Sequence, residues 1–220
     1  MRKEIVESVF FGKDPFFEPC IDFSQCDFQG WGSDHPYLAE AVSLTNAKLV
    51  IEVGVWKGLS VISLARAVRK EANGGVVLAI DTWLGSEEHW VNQDWHRSLK
   101  IRDGRPEMYK TFLANIFKAG VANSVLPIPM DSVNALRVLA NHNISADVIH
   151  IDAGHDYSSV KLDLETAWPL LRGGGVLICD DYCDEWDEVK LAVDDFIISR
   201  QLSILKAEQV GSWKCWIDKK

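Results

Sequence analysis

Five short apolar runs, each leading into an acid or a glycine, constrain this chain more than anything else in it. They are KLVIEVG (48–54), VVLAID (76–81), SVLPIPM (124–130), ADVIHID (146–152) and VLICD (176–180). Near-continuous apolar runs of this length suit strands buried on both faces, as in a parallel sheet. Helical patterns fall between them. PYLAEAVSLTN (36–46) is one, and Val61, Leu64, Ala65 and Val68 mark the inner face of another, which ends near Asn73-Gly74-Gly75. Further helices are predicted at about 106–119, over VNALRVLA with Ser132 as a candidate cap, at about 158–171, and along Val189, Ala192, Val193, Phe196 and Ile197. Strands alternating with helices imply right-handed crossovers and a doubly wound α/β sheet. LSILKAEQVGSWKCWIDK (202–219) reads as a terminal hairpin around Val210-Gly211. The expected fold is therefore a seven-stranded sheet, mostly parallel, with an antiparallel C-terminal hairpin strand.

The 220 residues suit one such domain. Residues 1–35, mixed and aromatic, read as an N-terminal extension packed over the active site of a domain spanning 36–220. The 32 acidic against 23 basic residues, a net charge of −9, disfavour nucleic acid and anionic membranes as partners and favour a small molecule. Cys20, Cys26, Cys179, Cys183 and Cys215 are odd in number and lack CxxC spacing, so a reducing compartment is expected. With no long apolar segment near the start or elsewhere, a cytoplasmic location is the expectation. A homo-oligomer is compatible with this composition.

Ligands of doubly wound sheets bind outside the carboxyl ends of the strands, and the chemistry-bearing residues of this chain collect there. EVGVWKGLS (52–60) joins the first strand to the first helix; Gly54 permits a tight turn, and Gly58 permits close approach at the helix N-terminus. Asp81, ending the second strand, is placed to accept from ribose hydroxyls. Asp131-Ser132, after the third, offers either an adenine-edge contact or a helix cap. The fourth and fifth strands end on VIHIDAGHDY and VLICDDY. Carboxylates gathered without a counter-charge repel one another, so Asp152 and the Asp180-Asp181 pair require separation, a proton or a cation. Neighbouring parallel strands lie about 4.8 Å apart, which lets these acids converge on an oxygen-liganded cation such as Mg²⁺ or Mn²⁺. The plainer alternative is a solvated turn. His155 is a candidate base or a helix cap, and His150 a core histidine or part of an iron site.

The E-x-G-x-x-x-G run after strand one, the acid after strand two and D-S after strand three resemble class I S-adenosylmethionine-dependent methyltransferases, over roughly residues 36–218. That resemblance implies a Rossmann-like fold and a cofactor site built on Glu52, Gly54, Gly58, Ser60, Asp81, Asp131, Ser132 and Asp152. The D-x-x-H and D-D pattern is similar to a metal-dependent branch that includes macrolide-sugar O-methyltransferases and a cephalosporin-biosynthesis protein once called a hydroxylase. It implies Asp152, Asp180 and Asp181 as ligands to Mg²⁺ or Mn²⁺ and His155 as the base. Asp180 departs from the Glu common in that branch, and the shorter arm weakens the case for its direct ligation. The acceptor implied is a hydroxyl of a sugar or glycosylated small molecule. Trp31, Trp83, Trp90, Trp95 and Trp186 are candidates to stack on it, with the long stretch 82–105 as a lid. A nicotinamide- or iron-dependent oxidoreductase and a noncatalytic nucleoside-binding module are the competing readings. The first lacks G-x-G-x-x-G spacing, and the second leaves the D-x-x-H and D-D set without a purpose.

Overall fold

In a computed structural model of the protein, described for residues 1–71, 74–207 and 213–220, each apolar run forms a strand of one sheet. In chain order the elements are α1 (Arg2–Val9), α2 (Pro36–Thr45), β1 (Leu49–Val53), α3 (Leu59–Glu71), β2 (Val76–Ile80), α4 (Glu87–Val91) and α5 (Gln93–Leu99). There follow α6 (Met108–Lys118), β3 (Val125–Ile128), α7 (Ser132–Asn141), β4 (Ala146–Ile151), α8 (Tyr157–Ala167), β5 (Leu171–Cys179), α9 (Asp187–Arg200), β6 (Ile204–Ala207) and β7 (Cys215–Asp218). The strand order is β3-β2-β1-β4-β5-β7-β6. The first five strands pair in parallel, and β7 runs antiparallel to both β5 and β6. This is the seven-stranded fold expected; the Val210-Gly211 turn lies outside the described residues.

The pleat explains why the strand sequences are apolar throughout. Leu49, Ile51 and Val53 point into one core with Leu78, Ile80, Ile149 and Ile151, while Val50, Val77, Ala79, Val148 and Ile178 point into a second. With helices over both faces, neither side of the sheet tolerates a polar repeat. α1 belongs to the first core, where Ile5 and Val6 are buried, and Arg2 donates to the Val125 carbonyl at 2.5 Å. The N-terminal extension is thus anchored on the body of the sheet before it crosses to the site.

Three elements differ from the sequence expectation. The cap of α7 is Asp131, which accepts the Asn134 N–H at 3.0 Å, and Ser132 is the first helical residue. The stretch 82–105 is not one irregular loop but carries α4 and α5; Trp83 is buried against Tyr109 and Phe112, with ring centroids 4.8 and 4.7 Å away. The helix expected over 158–171 ends at Ala167, and β5 begins at Leu171. There Ala146 pairs with Leu171 but Val148 with Val176, so Arg172 to Gly175 form a bulge. A Cβ on Gly175 would stand 2.8 Å from the Asp147 carbonyl oxygen, which requires glycine there.

Candidate active site

The strand order reverses between β1 and β4, and two cavities open at the carboxyl ends beside that switch point. The first, of about 380 Å³, is bounded by Gln29 to Ser33 of the N-terminal extension, Trp56, Leu59, Glu88, His89, Trp95, His155, Trp186 and Trp213, with Asp152, Asp180 and Asp181 among its lining. The second, of about 350 Å³, runs past Gly54, Asp81, Thr82 and Ser86 to Met130, Asp131, Ser132, Leu162 and Asp163. Gly54, Val55, Trp56, Asp152 and Ala153 border both. The cavities are adjoining chambers over one strand end.

Gly54 has a φ of +82°, and a Cβ there would lie 1.8 Å from the Asp152 carbonyl oxygen, so only glycine lets the first loop pass. Asp81 closes that loop from β2. One carboxylate oxygen accepts from the Val55 and Trp56 N–H groups at 2.8 and 2.9 Å, and the other from Trp83 at 2.6 Å. Burial raises its pKa while the three N–H groups oppose the shift.

Other residues assigned to the cofactor from sequence also make contacts within the protein. Glu52 is fully buried, accepts the Ser60 hydroxyl's hydrogen bond, and lies opposite His150 in the β1–β4 register. It lines neither cavity, although Ser60 reaches the first. Gly58 also lines neither; a Cβ there would meet the Phe112 ring at 2.8 Å, so its glycine serves helix packing. Asp131 borders the second cavity, but its carboxylate is engaged by the backbone and side-chain amides of Asn134 at 3.0 and 2.7 Å.

The acidic strand ends do converge. Asp152 follows β4 with its N–H on the Val53 carbonyl at 2.8 Å, and Asp180 follows β5 with its N–H on Ile151 at 2.9 Å. Asp181 then adopts a left-handed turn, φ 55°, its N–H held by the Asp180 carboxylate at 2.9 Å. Ligand atoms of Asp152, His155 and Asp181 lie within 4.8 Å of one another, as do those of His150, Asp152 and Asp180. Burial and the neighbouring Asp180 charge push the Asp152 carboxyl well above its usual range.

Two residues that sequence reasoning missed organise this cluster. Lys214, 1% exposed, makes a buried ion pair with Asp180 and lies 3.5 Å from His150 Nε2. Despite burial, His150 and Lys214 hold the Asp180 carboxyl below the usual carboxylate range. Its signal in the sequence is a lone charge inside the apolar SWKCWI run. Glu88 has no comparable signal. It reaches from α4 to His155, whose Nδ1 is 3.0 Å from both Glu88 oxygens while Nε2 is 3.0 Å from Asp181. Burial disfavours the His155 imidazolium, but Asp181 and then Glu88 raise the pKa to about 9. Trp186 packs on the ring at 4.2 Å.

His150 is fully buried between Glu52, 3.4 Å from its Nδ1, and Asp180, 3.7 Å from its Nε2. Burial and Lys214 disfavour its protonation, yet Asp180 and Glu52 outweigh them and raise its pKa to about 9. It is buried as a core histidine is, and it also belongs to one of the two groups of possible ligands. Among the tryptophans, Trp31, Trp95 and Trp186 line the first cavity, joined by Trp56 and Trp213, whereas Trp83 and Trp90 do not. Lys57, 2% exposed, binds Asp27 at 2.7 Å, Gln29 at 3.0 Å and Ser98 at 3.3 Å. It fastens the N-terminal extension and α5 to the first loop. The donor set suits a hard divalent cation: Asp152 and Asp181 offer carboxylate oxygens over a cavity, while Asp180 is already neutralised by Lys214.

A family model described as a methyltransferase domain matches residues 51–182, more than half of the chain. A protein of Arabidopsis thaliana assigned by name to the caffeoyl-CoA O-methyltransferases is 29% identical over 145 residues, 66% of this chain and 51% of that protein, so the chain spans about half of that relative's length. Among solved structures, the O-methyltransferase from Bacillus cereus in complex with SAH superposes with a TM-score of 0.63 at 17% identity, covering 99% of this chain and 97% of that one. TomG from Streptomyces achromogenes, an O-methyltransferase involved in tomaymycin synthesis and solved with SAM, gives 0.60 at 18% identity over 100% of both chains. At such identities the two solved structures share the fold.

Proposed function

The chain belongs to the methyltransferase-domain family, and we propose that it is a divalent-cation-dependent O-methyltransferase moving a methyl group from S-adenosylmethionine to a hydroxyl of a sugar or glycosylated small molecule. The observation that carries this reading is the gathering of Asp152, Asp181 and His155 within 4.8 Å on the floor of an aromatic-walled cavity. The SAH and SAM named with the Bacillus cereus and Streptomyces achromogenes structures support the choice of cofactor. In this reading the second cavity takes the nucleoside, with Asp81 accepting from the ribose and Gly54 and Asp152 bordering the methionine end. The first cavity takes the acceptor, with Gln29 to Ser33 forming part of its wall.

A divalent cation held by Asp152 and Asp181, with Asp180 as their neighbour, would supply Lewis acidity and orientation for a hydroxyl group. The chain's own part is proton transfer and positioning. Glu88 fixes His155 through Nδ1; with Asp181 drawn on by a cation, the contact that keeps the imidazole protonated would weaken and Nε2 would be free to accept the hydroxyl proton. The tryptophan faces of Trp31, Trp56 and Trp95 offer a stacking wall for a ring-shaped acceptor. Holding both substrates over one strand end makes the transfer a positioning problem. The methyltransferase-domain match over residues 51–182 favours this reading over an iron-dependent oxidoreductase.

Incubation with methyl-labelled S-adenosylmethionine and a panel of glycosides and catechols tests the reading. Label transfer to a glycoside that stops on chelation, returns with Mg²⁺ or Mn²⁺, and is lost in His155→Ala is expected. Transfer unaffected by chelation would refute the cation's role, and failure to bind S-adenosylhomocysteine would refute the cofactor.

A further inference from the structure

Asp163 of α8 is a buried acid to which the proposed function gives no part. It is 4% exposed yet borders the second cavity beside Ser132. The Ser132 side chain hydrogen-bonds its carboxyl; the other groups acting on it are Asp156 and Asp131, both acids. Burial, the largest influence, raises its pKa to about 6. A buried acid with no cation beside it is costly unless a donor reaches it, and the open side here is the cavity.

The surroundings say what kind of donor fits. Met130 at the end of β3 and Leu162 of α8 also line this cavity and remain 41% and 43% exposed, an apolar setting that a flat heterocycle would cover. A nucleoside held by its ribose at Asp81, just after β2, extends its base toward the end of the next strand, β3, where Met130 follows and Leu162 of α8 faces the same cavity. Asp131, the acid that sequence places there, caps α7 through Asn134, and Asp163 is a second acid bordering the same cavity.

We propose that Asp163, supported by the Ser132 hydroxyl, accepts a hydrogen bond from the exocyclic amine of the cofactor's adenine and thereby selects an adenosyl over a 6-oxopurine cofactor. The proposal rests on the S-adenosylmethionine reading. An amine donates to the carboxylate, whereas a 6-oxo group would direct a lone pair at it. Carboxylate-to-amide exchange supplies a donor and relieves that clash.

Calorimetry with S-adenosylhomocysteine and S-inosylhomocysteine separates the outcomes. The wild type should bind the adenosyl compound about ten- to hundred-fold more tightly. Asp163→Asn, nearly isosteric and checked for folding by circular dichroism, should bring the two within about three-fold. Equal affinities in the wild type would overturn the proposal without any variant, and an unchanged preference in folded Asp163→Asn would overturn it with the cofactor reading intact. No binding of either compound to the wild type would overturn both.

Discussion

Replacing Lys214 by Met removes the lysine counter-charge paired with Asp180 at the acidic strand ends, while keeping most of the side chain's volume. The Lys214 and Asp180 side chains are 1% and 9% exposed, so water screens the pair little. Met fills most of the stem's space, which limits the packing loss to about 1 kcal/mol. The larger effect is electrostatic: removing one partner of a buried pair costs about 3–5 kcal/mol. Asp152 tempers it, because its raised pKa lets it take up a proton, so about 3 kcal/mol is expected near neutral pH. For a chain of this size that lowers the melting temperature by about 6–12 °C. Urea denaturation and thermal melts in chelator should show the loss, and millimolar Mg²⁺ or Mn²⁺ should restore part of it. Lys214→Met/Asp180→Asn, which removes both charges, should recover most of the stability. A single variant as stable as wild type in chelator, or a double variant weaker than the single one, would refute the counter-charge argument.

Asp81→Ala should weaken S-adenosylhomocysteine binding by about 1–3 kcal/mol, part of it through release of the Val55, Trp56 and Trp83 N–H groups; unchanged calorimetric affinity in a folded variant would remove Asp81 from the site. His155→Ala should lower methyl transfer by about 10²–10⁴-fold while leaving cofactor affinity near wild type. The pKa of His155 rises from an ordinary 6.5 to about 9 in the fold, so its contacts stabilise the protein fully below pH 6.5 and cease to do so as pH rises through about 9. His150 titrates in the same window, and the difference between melts of wild type and Glu88→Gln across pH 6–10 isolates the Glu88–His155 part. A difference that does not shrink toward high pH would contradict the assignment.

The strands were legible because burial on both sheet faces leaves a continuous apolar run, which nothing else of that length in this chain imitates. The acids that end them were legible for the same reason: Asp81, Asp152 and Asp180 interrupt apolar runs at a strand terminus. What could not be read is contact between segments distant in sequence. Glu88 meets His155 across 67 positions, and Lys214 meets Asp180 across 34. Asp163 looks like any polar residue of a helix until α8 packs beside α7. Asp131 was ambiguous for a local reason, since an acid one residue before a helix serves equally as cap or ligand contact; it caps α7 through Asn134 and also borders the second cavity. Glu52 and Gly58 sit in a motif shaped like a ligand loop, yet one is turned into the sheet and the other faces Phe112.

Calorimetric titration of Mg²⁺ and Mn²⁺ into the S-adenosylhomocysteine-loaded protein, run beside Asp152→Ala, tests most directly whether the acidic strand ends are a metal site. One cation per chain in the wild type, lost in Asp152→Ala with cofactor affinity retained, is the expected result. Absence of cation binding to the loaded wild type would contradict it and leave Lys214 and the two histidines as the cluster's counter-charges among the described residues.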